Sequence, residues 1–342
     1  MQSDMAPGSE AHSDIKVSVV IPCRDRINML RDVLSGLAAQ TFEARRMELI
    51  IVDGDSSDPI EDMVAAFARD VEFDVWYLQH LPDEGPVTKR NAGVQAARGE
   101  IIAFTDSDCR PVEGWLAAGV APFDDPDVGF VSGPVTYKPE QTANFFSKLS
   151  AETLVEHPTY PTANMFYRRA LFLGQGGFDT SLGVRDFLNR ATECADTDLA
   201  WQIRKAGHAN VFAKDALIYH EVEQLTPFKW LMEPTRLILL PLLVKLHPEI
   251  APLMLKGNVL FYRGTLLIYG GMLFLVFAIV FAPKALWLVP AGLAALTARR
   301  AKSLAPAALA RGAKEVIFNL GRMAVLAVTL VVGSVRYGRL VL

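Results

Sequence analysis

Four short runs rich in β-branched and other apolar residues recur over residues 16–135, and amphipathic stretches separate them. The predicted strands are Val17–Ile21, Leu49–Val52, Val75–Leu78 and Ile101–Phe104. Strand and helix units that repeat in this way favour a largely parallel sheet with helices on both faces. The chain is therefore predicted to have an α/β fold. Ligands of such folds collect at the carboxyl ends of the strands.

The starts of two predicted helices carry capping signals. Asp25 precedes apolar residues at helical spacing over 27–37 and is expected to cap that helix. Asp58, Pro59 and Glu61 supply a cap, a first-turn proline and a capping-box glutamate for the following helix. Each aspartate is thus expected to serve the helix that directly follows it.

Carboxylates follow three of the predicted strands. Asp25 comes after the first strand, Asp53 after the second, and Asp106 and Asp108 after the fourth. Two carboxylates one residue apart form a small, hard anionic pocket, which suits Mg²⁺ or Mn²⁺ carrying a diphosphate. The same Asp-x-Asp pattern also occurs in ordinary turns, so the pair alone leaves both interpretations open.

Composition and motifs exclude several classes. The 342 residues carry a net charge of −4, which gives no basic bias towards a nucleic-acid partner. Cys23, Cys109 and Cys194 are far apart and odd in number, so a reducing compartment fits best and small buried fillers are expected. The sequence has no Gly-x-Gly-x-x-Gly after the first strand and no P-loop motif, which removes the main support for those nucleotide folds.

The two ends of the chain differ in character. Residues 1–15 are polar, lack the apolar core of a signal peptide and are expected to form a disordered tail. From Val259 onward, Leu, Val, Ala, Phe and Gly dominate, so residues 259–342 are predicted to be a membrane region. Residues 235–258 are apolar but interrupted by proline, which favours interfacial helices.

Three stretches of the last region are candidate membrane spans. Residues 264–282 approach the ~20 apolar residues that a bilayer requires. Residues 285–298 are shorter and are predicted to form the return half of a helical hairpin. Residues 317–335 are a third candidate, which contains Asn319 and Arg322. A buried helical domain is the alternative, and the uncharged length of the first stretch argues against it.

Basic residues predict the orientation. The segment 299–314 holds five of them, whereas the turn after the first span has only Lys284. The positive-inside rule then places 299–314 and the domain over 1–256 on the cytoplasmic side. A third span would leave Arg336 and Arg339 outside. We expect a multi-pass protein of the inner or cell membrane that contacts membrane lipid.

Six segments, in this order, resemble motifs of the family-2 glycosyltransferases with the GT-A fold. They are Val17–Asp25, Ile51–Asp58, Lys89–Gly99, Asp106–Asp108, Thr162–Asp179 and Asp196–Gly207. The resemblance covers roughly residues 16–230 and implies a Rossmann-like, mostly parallel mixed sheet in a catalytic domain at 16–234. It also implies a divalent cation, Mg²⁺ or Mn²⁺, and inverting transfer of a sugar from a nucleotide-diphosphate donor.

The resemblance assigns roles to single residues. Asp53 is the expected contact of a uracil base, Asp108 the metal ligand, and Asp106 a ligand of the metal or the ribose. Arg90 is expected to meet the diphosphate, and a solvated helix face is the alternative. His220 is a weaker candidate for the metal. The full predicted donor set is Pro22, Arg24, Asp25, Asp53, Lys89, Arg90, Asn91 and Asp106.

The acceptor side requires a base, because the attacking hydroxyl must lose its proton. Asp196 is the predicted base. The family pattern is Glu-Asp-x-Asp-Leu, but Ala195 stands here at the Glu position. Glu193 is a candidate substitute. Asp198 and Asn164 are the other predicted acceptor-side residues, and Asp198 is expected to stabilise the start of its helix.

The prediction is a membrane-anchored glycosyltransferase that takes a UDP-sugar and a lipid-linked or membrane-associated acceptor. Processive relatives carry Gln-x-x-Arg-Trp, whereas the nearest match here, Thr226–Trp230, lacks the Gln and replaces the Arg by Lys. Transfer of one sugar per encounter is therefore favoured, and Trp230 is expected to anchor at the membrane interface. A processive polysaccharide synthase, a nucleotidyltransferase and a catalytically silent membrane scaffold are the alternatives.

Overall fold

The computed structural model of the protein describes residues 14–301, 303 and 305–342. Most of the predicted tail at 1–15 lies outside the described residues. The chain divides into two compact units. Unit 1 holds residues up to Gln141, Ser150–Ser181 and Ala195–Glu221. Unit 2 holds Thr142–Leu149, Leu182–Cys194 and Val222–Leu342.

The secondary-structure elements of the described residues are numbered along the chain. The strands are β1 Val17–Cys23, β2 Met47–Asp53, β3 Asp74–Gln79, β4 Ile101–Phe104, β5 Cys109–Pro111, β6 Val128–Ser132, β7 Val135–Tyr137, β8 Ser147–Lys148, β9 Met165–Arg168, β10 Gly183–Arg185, β11 Ala191–Glu193, β12 Ala209–Phe212, β13 Ile218–His220 and β14 Glu223–Gln224. The α-helices are α1 Ile27–Ala38, α2 Ile60–Phe67, α3 Pro86–Ala96, α4 Trp115–Val120, α5 Arg169–Gly174, α6 Ala195–Lys205, α7 Pro227–Met232, α8 Leu240–Leu246, α9 Ala251–Met254, α10 Arg263–Phe281, α11 Leu288–Ala301 and α12 Pro306–Tyr337.

A seven-stranded mixed sheet forms the centre of unit 1, in the order β12-β6-β9-β4-β1-β2-β3. Strands β4, β1, β2 and β3 are parallel, and β9 runs antiparallel between β4 and β6. The residues of β1 and β2 are buried throughout, as expected for parallel strands covered on both faces. The predicted α/β fold and its four parallel strands are therefore confirmed.

The register of the sheet aligns the strand ends that bear the acidic residues. Cys23 at the end of β1 pairs with Asp53 at the end of β2, and Val20 pairs with Phe104 at the end of β4. Segments that leave these strands therefore start at one edge of the sheet. A smaller sheet of β5, β13 and β7 pairs Cys109 with His220. This second sheet brings His220 to the chain that follows Asp108.

The two predicted helix caps differ from the contacts that the structure shows. Arg26, not Asp25, precedes α1, and the backbone N–H of Ile27 donates to Asp58 Oδ2 at 3.0 Å. Asp25 Oδ1 instead accepts from the backbone N–H of Ser57 at 2.8 Å. Helix α2 receives no side-chain cap. The predictions that Asp25 caps α1 and that Asp58 caps α2 were wrong, because each carboxylate reaches across to the neighbouring loop.

Unit 2 contains the apolar helices. Within the described residues, α10 with 19 residues and α12 with 32 residues are long and apolar enough to cross a membrane. The stretch Pro227–Leu246 with Pro248–Met254 is bent by 111° and provides a third crossing only if it is one broken span. The predicted C-terminal helices of membrane-spanning length are therefore present among the described residues.

The predicted spans coincide with these helices to different extents. Residues 264–282 lie in α10 except for the last, and residues 317–335 lie within α12. The predicted return half at 285–298 falls mainly on α11, which has only 14 residues. Side chains of α10 such as Leu273 and Phe281 are each 73% exposed, as expected for a helix whose surroundings are apolar.

An aromatic cluster in unit 2 joins a loop, α7 and α12. Its rings are Phe145, Phe146, Trp230 and Phe318, with centroids 5.0–6.4 Å apart. Arg322 lies over the Trp230 ring at 4.6 Å from its centroid and donates to its backbone carbonyl. Trp230 is only 8% exposed. The expectation that Trp230 anchors at the membrane interface was wrong, because its ring is buried among other side chains.

Candidate active site

Asp53 ends β2 as a buried carboxylate, only 2% exposed. Its Oδ2 accepts from the Tyr77 hydroxyl at 2.7 Å, and its Oδ1 accepts from the Ser56 hydroxyl at 2.5 Å. Burial and this hydrogen bond to Asp53 raise the pKa of Tyr77, so the phenol remains a donor. The two hydroxyls hold the carboxylate in place. Asp53 Oδ2 also accepts from the Ser56 backbone N–H at 3.4 Å, so Oδ1 is the oxygen that retains a second lone pair for a base N–H.

The loop after β1 is tied to the loop after β2. Asp25 Oδ1 accepts from the Ser57 hydroxyl at 2.9 Å, in addition to the Ser57 N–H, and the Asp25 N–H donates to Ser56 Oγ at 2.6 Å. These hydrogen bonds from Ser57 lower the pKa of Asp25 below its ordinary value. Asp25 thus serves as an anchor between the two loops.

A three-membered ion cluster lies beside this edge. Asp83 binds Arg24 Nη1 at 2.8 Å and Lys89 Nζ at 2.9 Å. Lys89 Nζ also donates to the Cys23 carbonyl at 3.1 Å. Burial alone would raise the pKa of Asp83, but the hydrogen bonds from Lys89 and from the Gly85 N–H outweigh it and lower that pKa. Two predicted donor residues, Arg24 and Lys89, are therefore held by a carboxylate that sequence analysis missed.

Arg90 binds the first carboxylate of the Asp-x-Asp pair. Its Nη2 lies 2.5 Å from Asp106 Oδ1, and Arg90 is 5% exposed. The alternative in which Arg90 lies on a solvated helix face is wrong, because α3 packs this side chain inward. A buried arginine with a bonded carboxylate is a fixed positive charge at the edge of the sheet.

Asp108, Cys109 and His220 form a group whose ligand atoms all lie within 4.8 Å of one another. His220 Nε2 is 3.7 Å from Asp108 Oδ1, and the backbone N–H of Glu221 donates to the Asp108 carbonyl at 3.0 Å. Burial raises the pKa of the Cys109 thiol well above its ordinary value, so the thiol stays protonated and is a poor ligand. A carboxylate and an imidazole are donors that suit Mn²⁺ or Mg²⁺. The predicted pair Asp108 and His220 therefore fits a divalent cation.

Asp196 lies in the first turn of α6, beside Thr197, whose backbone N–H donates to Asp196 Oδ1 at 2.8 Å. Its side chain keeps some access to solvent. Burial nevertheless raises the pKa of Asp196, and this outweighs the lowering effects of the Thr197 N–H and the Arg90 charge. A carboxylate with a raised pKa is a better proton acceptor than an ordinary aspartate.

Three predicted site residues have partners within the protein. Asn91 exchanges two hydrogen bonds with the backbone of Phe178, at 2.8 and 3.0 Å. Asn164, 1% exposed, accepts from Trp115 Nε1 and donates to two backbone carbonyls. Asp198 accepts from Gln202 Nε2 at 2.6 Å. Their roles towards donor or acceptor stay predictions. Asn91 and Asn164 connect separate segments of the chain, whereas the Asp198 contact lies within α6.

Of the remaining predicted residues, Pro22 is buried within β1, opposite Val52 of β2. Glu193 ends β11 and belongs to unit 2, whereas Asp196 belongs to unit 1. Ser56, Tyr77 and Asp83 bind predicted residues but were not themselves predicted from the sequence. Ser56 and Asp83 lie in loops within or next to the predicted motifs, which was the available signal.

Residues 18–181 match the family described as Glycosyl transferase family 2. This part of the chain belongs to glycosyl transferase family 2. The predicted family is confirmed, and the matched residues contain Asp53, Arg90, Asp106 and Asp108 of the site. The family 2 match ends before Asp196, so the position of α6 is known from the fold and from its own contacts.

Two curated relatives of the family 2 domain are named glycosyltransferases. A pre-mycofactocin glycosyltransferase from Mycobacterium tuberculosis is 28% identical over 74% of this chain and 53% of that protein. Glycosyltransferase AglE from Haloferax volcanii is 26% identical over 60% of this chain and 66% of that protein. The chain thus spans about half to two thirds of the length of these relatives.

Solved structures share the fold of the family 2 domain. A mannosyltransferase from Pyrobaculum calidifontis, solved with GDP-Man and Mn²⁺, is 22% identical with a TM-score of 0.56 and covers 94% of this chain and 86% of its own. S. aureus TarS 1-349 with UDP is 17% identical with a TM-score of 0.51 and covers 95% and 92%. At these identities the likeness shows the fold.

Proposed function

We propose that the protein is a membrane-anchored, inverting, metal-dependent glycosyltransferase. It moves one sugar per encounter from a nucleotide-diphosphate sugar, a UDP-sugar, to a lipid-linked or membrane-associated hydroxyl acceptor. The family 2 membership supports the reaction class, and the helices α10 and α12 support the membrane anchor.

The observation that carries this proposal is the position of Arg90. Its guanidinium binds Asp106 at 2.5 Å, and its charge also acts on Asp196. Arg90 therefore links the carboxylate pair expected at the donor to the carboxylate expected at the acceptor. A scaffold without activity would not need a buried cation bonded to the first carboxylate of the Asp-x-Asp pair.

The proposed reaction has two parts, deprotonation of the acceptor by Asp196 and departure of the diphosphate. Asp196 accepts the proton of the acceptor hydroxyl while the hydroxyl oxygen forms a bond to the anomeric carbon. The bond from that carbon to the diphosphate oxygen breaks, and its electron pair leaves with the diphosphate. Attack from the face opposite the leaving group inverts the anomeric centre. Asp53, held by two hydroxyls, receives an N–H of the base.

Asp108 and His220 are the residues that would hold a divalent cation, and Asp106 is the further candidate. Such an ion acts as a Lewis acid that neutralises charge on the departing diphosphate. Arg90 keeps Asp106 at a defined position near this pair through its bond to Oδ1. The solved neighbour that contains Mn²⁺ supports this choice of ion.

The acceptor class is proposed from the anchor and from the relatives. A catalytic unit tethered to a bilayer meets lipid-linked substrates at raised local concentration. One relative is named a glucosyl-dolichyl phosphate glucuronosyltransferase from Haloferax volcanii, 26% identical over 64% of this chain. The basic segment 299–314 supports a cytoplasmic position for the catalytic unit, where nucleotide sugars are made.

A donor panel tests the proposal. Full-length protein in lipid nanodiscs with Mn²⁺ is incubated with UDP- and GDP-sugars and a bacterial lipid extract, and the released nucleotide is measured. We expect UDP release that depends on lipid extract and stops in excess chelator. Release of GDP alone would contradict the UDP assignment. A ladder of products would support the processive synthase instead.

A further inference from the structure

The loop between β1 and α1 has an unusual backbone. Asp25 and Arg26 have φ values of 56° and 64°, in the left-handed region that non-glycine residues rarely adopt. The Asp25 N–H donates to Ser56 Oγ and the Ser57 N–H donates to Asp25 Oδ1, and these two hydrogen bonds hold this conformation. Strained backbone maintained by its surroundings is typical of functional sites, which directs attention to the side chain of Arg26.

The Arg26 guanidinium ends at the second carboxylate of the Asp-x-Asp pair. Its Nη1 donates to Asp108 Oδ2 at 2.8 Å. The other oxygen, Oδ1, is the one that faces His220 Nε2 at 3.7 Å. One oxygen of Asp108 thus accepts from Arg26, and the other faces the proposed metal ligand His220.

Arg26 and Arg90 differ in the exposed fraction of their side chains. The Arg90 side chain is 6% exposed, whereas that of Arg26 is 49% exposed. A half-exposed ion pair contributes little to stability, so the Asp108 contact alone does not account for a strained loop. Arginine carries five N–H donors in a planar fork, and this fork matches the oxygens of a phosphate.

We propose that Arg26 binds the diphosphate of the donor as a second cation beside the metal site. The inference rests on the proposed function and assigns a residue to it. If Asp108 and His220 held a cation, a diphosphate bound there would lie next to the guanidinium on that same carboxylate. Arg26 then stabilises the negative charge that the diphosphate gains when its bond to the anomeric carbon breaks.

Binding of inorganic pyrophosphate tests this role without a nucleobase. Isothermal titration of full-length protein in nanodiscs with pyrophosphate and Mn²⁺ is compared for wild type, Arg26→Gln, Arg26→Lys and Arg31→Gln. Arg31 is an exposed arginine of α1 that bonds Asn28, so its variant is the matched control for charge. We expect a loss of affinity on the order of 10- to 100-fold for Arg26→Gln, a smaller loss for Arg26→Lys, and no change for Arg31→Gln.

The outcomes separate the inference from the proposed function. If wild type does not bind pyrophosphate with Mn²⁺, the proposed function itself is contradicted. If wild type binds and Arg26→Gln binds equally well, the role of Arg26 is overturned. It is also overturned if Arg26→Gln only tightens Mn²⁺ binding without pyrophosphate, measured by electron paramagnetic resonance. Equal losses of uridine and pyrophosphate affinity would indicate a collapsed loop and contradict direct binding, whereas retained uridine affinity supports it.

Discussion

Single side chains at the edge of the sheet are organised as charge pairs. Each carboxylate of the Asp-x-Asp motif binds its own arginine, Arg90 on Asp106 and Arg26 on Asp108. Asp196 has no such direct ion pair among the described contacts, and its pKa is raised by burial. A raised pKa suits Asp196 for the role of proton acceptor.

The substitution Asp196→Asn removes the proposed base without changing the size of the side chain. We expect kcat to fall about 10²- to 10⁴-fold, the usual contribution of a general base, while donor affinity is retained. Steady-state rates and donor titration measure the two effects. The exposed Asp215→Asn provides a control for charge. Lost donor binding with unchanged turnover would show that Asp196 serves the donor instead.

The raised pKa of Asp196 predicts an acid limb in the rate profile. The base acts only when deprotonated, so kcat falls as the pH decreases through the raised pKa. The fall should begin at a higher pH than an ordinary aspartate would give. Measuring kcat from pH 4 to 8 at saturating donor tests this. An identical acid limb in the residual activity of Asp196→Asn would assign it to another group.

The starts of α1 and α2 are connected by hydrogen bonds between the loops that precede them. The first N–H of α1 bonds Asp58, which precedes α2, and Asp25, which precedes α1, bonds Ser57. This reciprocal arrangement fastens the loops after β1 and β2 to each other. The two loops at this edge of the sheet therefore hold one another, and neither helix is capped by the aspartate that precedes it.

The substitution Asp58→Ala tests this arrangement. Loss of a side-chain cap typically costs about 1 kcal/mol, which corresponds to roughly 2–4 °C in the melting temperature of a domain of this size. Thermal unfolding of full-length protein in detergent measures the change. The exposed Asp70→Ala is the control, and we expect it to melt with wild type. A similar loss in both variants would point to general charge effects.

The whole chain combines a catalytic unit with helices whose apolar faces are exposed. Helix α11 rises only about 21 Å over its 14 residues, against a bilayer core of about 30 Å. The 3₁₀ turn Pro283–Trp287 precedes it directly and would supply about 10 Å more. The proposed hairpin therefore consists of α10 and of residues 283–301 together.

Cysteine labelling decides this topology. The native cysteines are buried, so single substitutions at the exposed Lys284 and Ser303 report alone. We expect Lys284→Cys to react with a membrane-impermeant maleimide in intact cells, and Ser303→Cys to react only after permeabilisation. This pattern follows from a basic cytoplasmic segment at 299–314. Labelling of both sites in intact cells, or of neither, would mean that residues 283–301 do not cross.

Periodicity and motif order sufficed for the strands β1–β4, the family and the location of the carboxylates at strand ends, because these depend on local pattern and on the geometry of a parallel sheet. The same patterns do not predict which side chains bind one another across loops. They do not give the partners of Asp25 and Asp58, because these contacts join distant positions. The ion pairs of Asp83 with Lys89 and of Arg26 with Asp108 were not predicted for the same reason. Local pattern encodes which face a side chain takes, whereas its partner depends on how separate segments pack, and that information appears only in the folded chain.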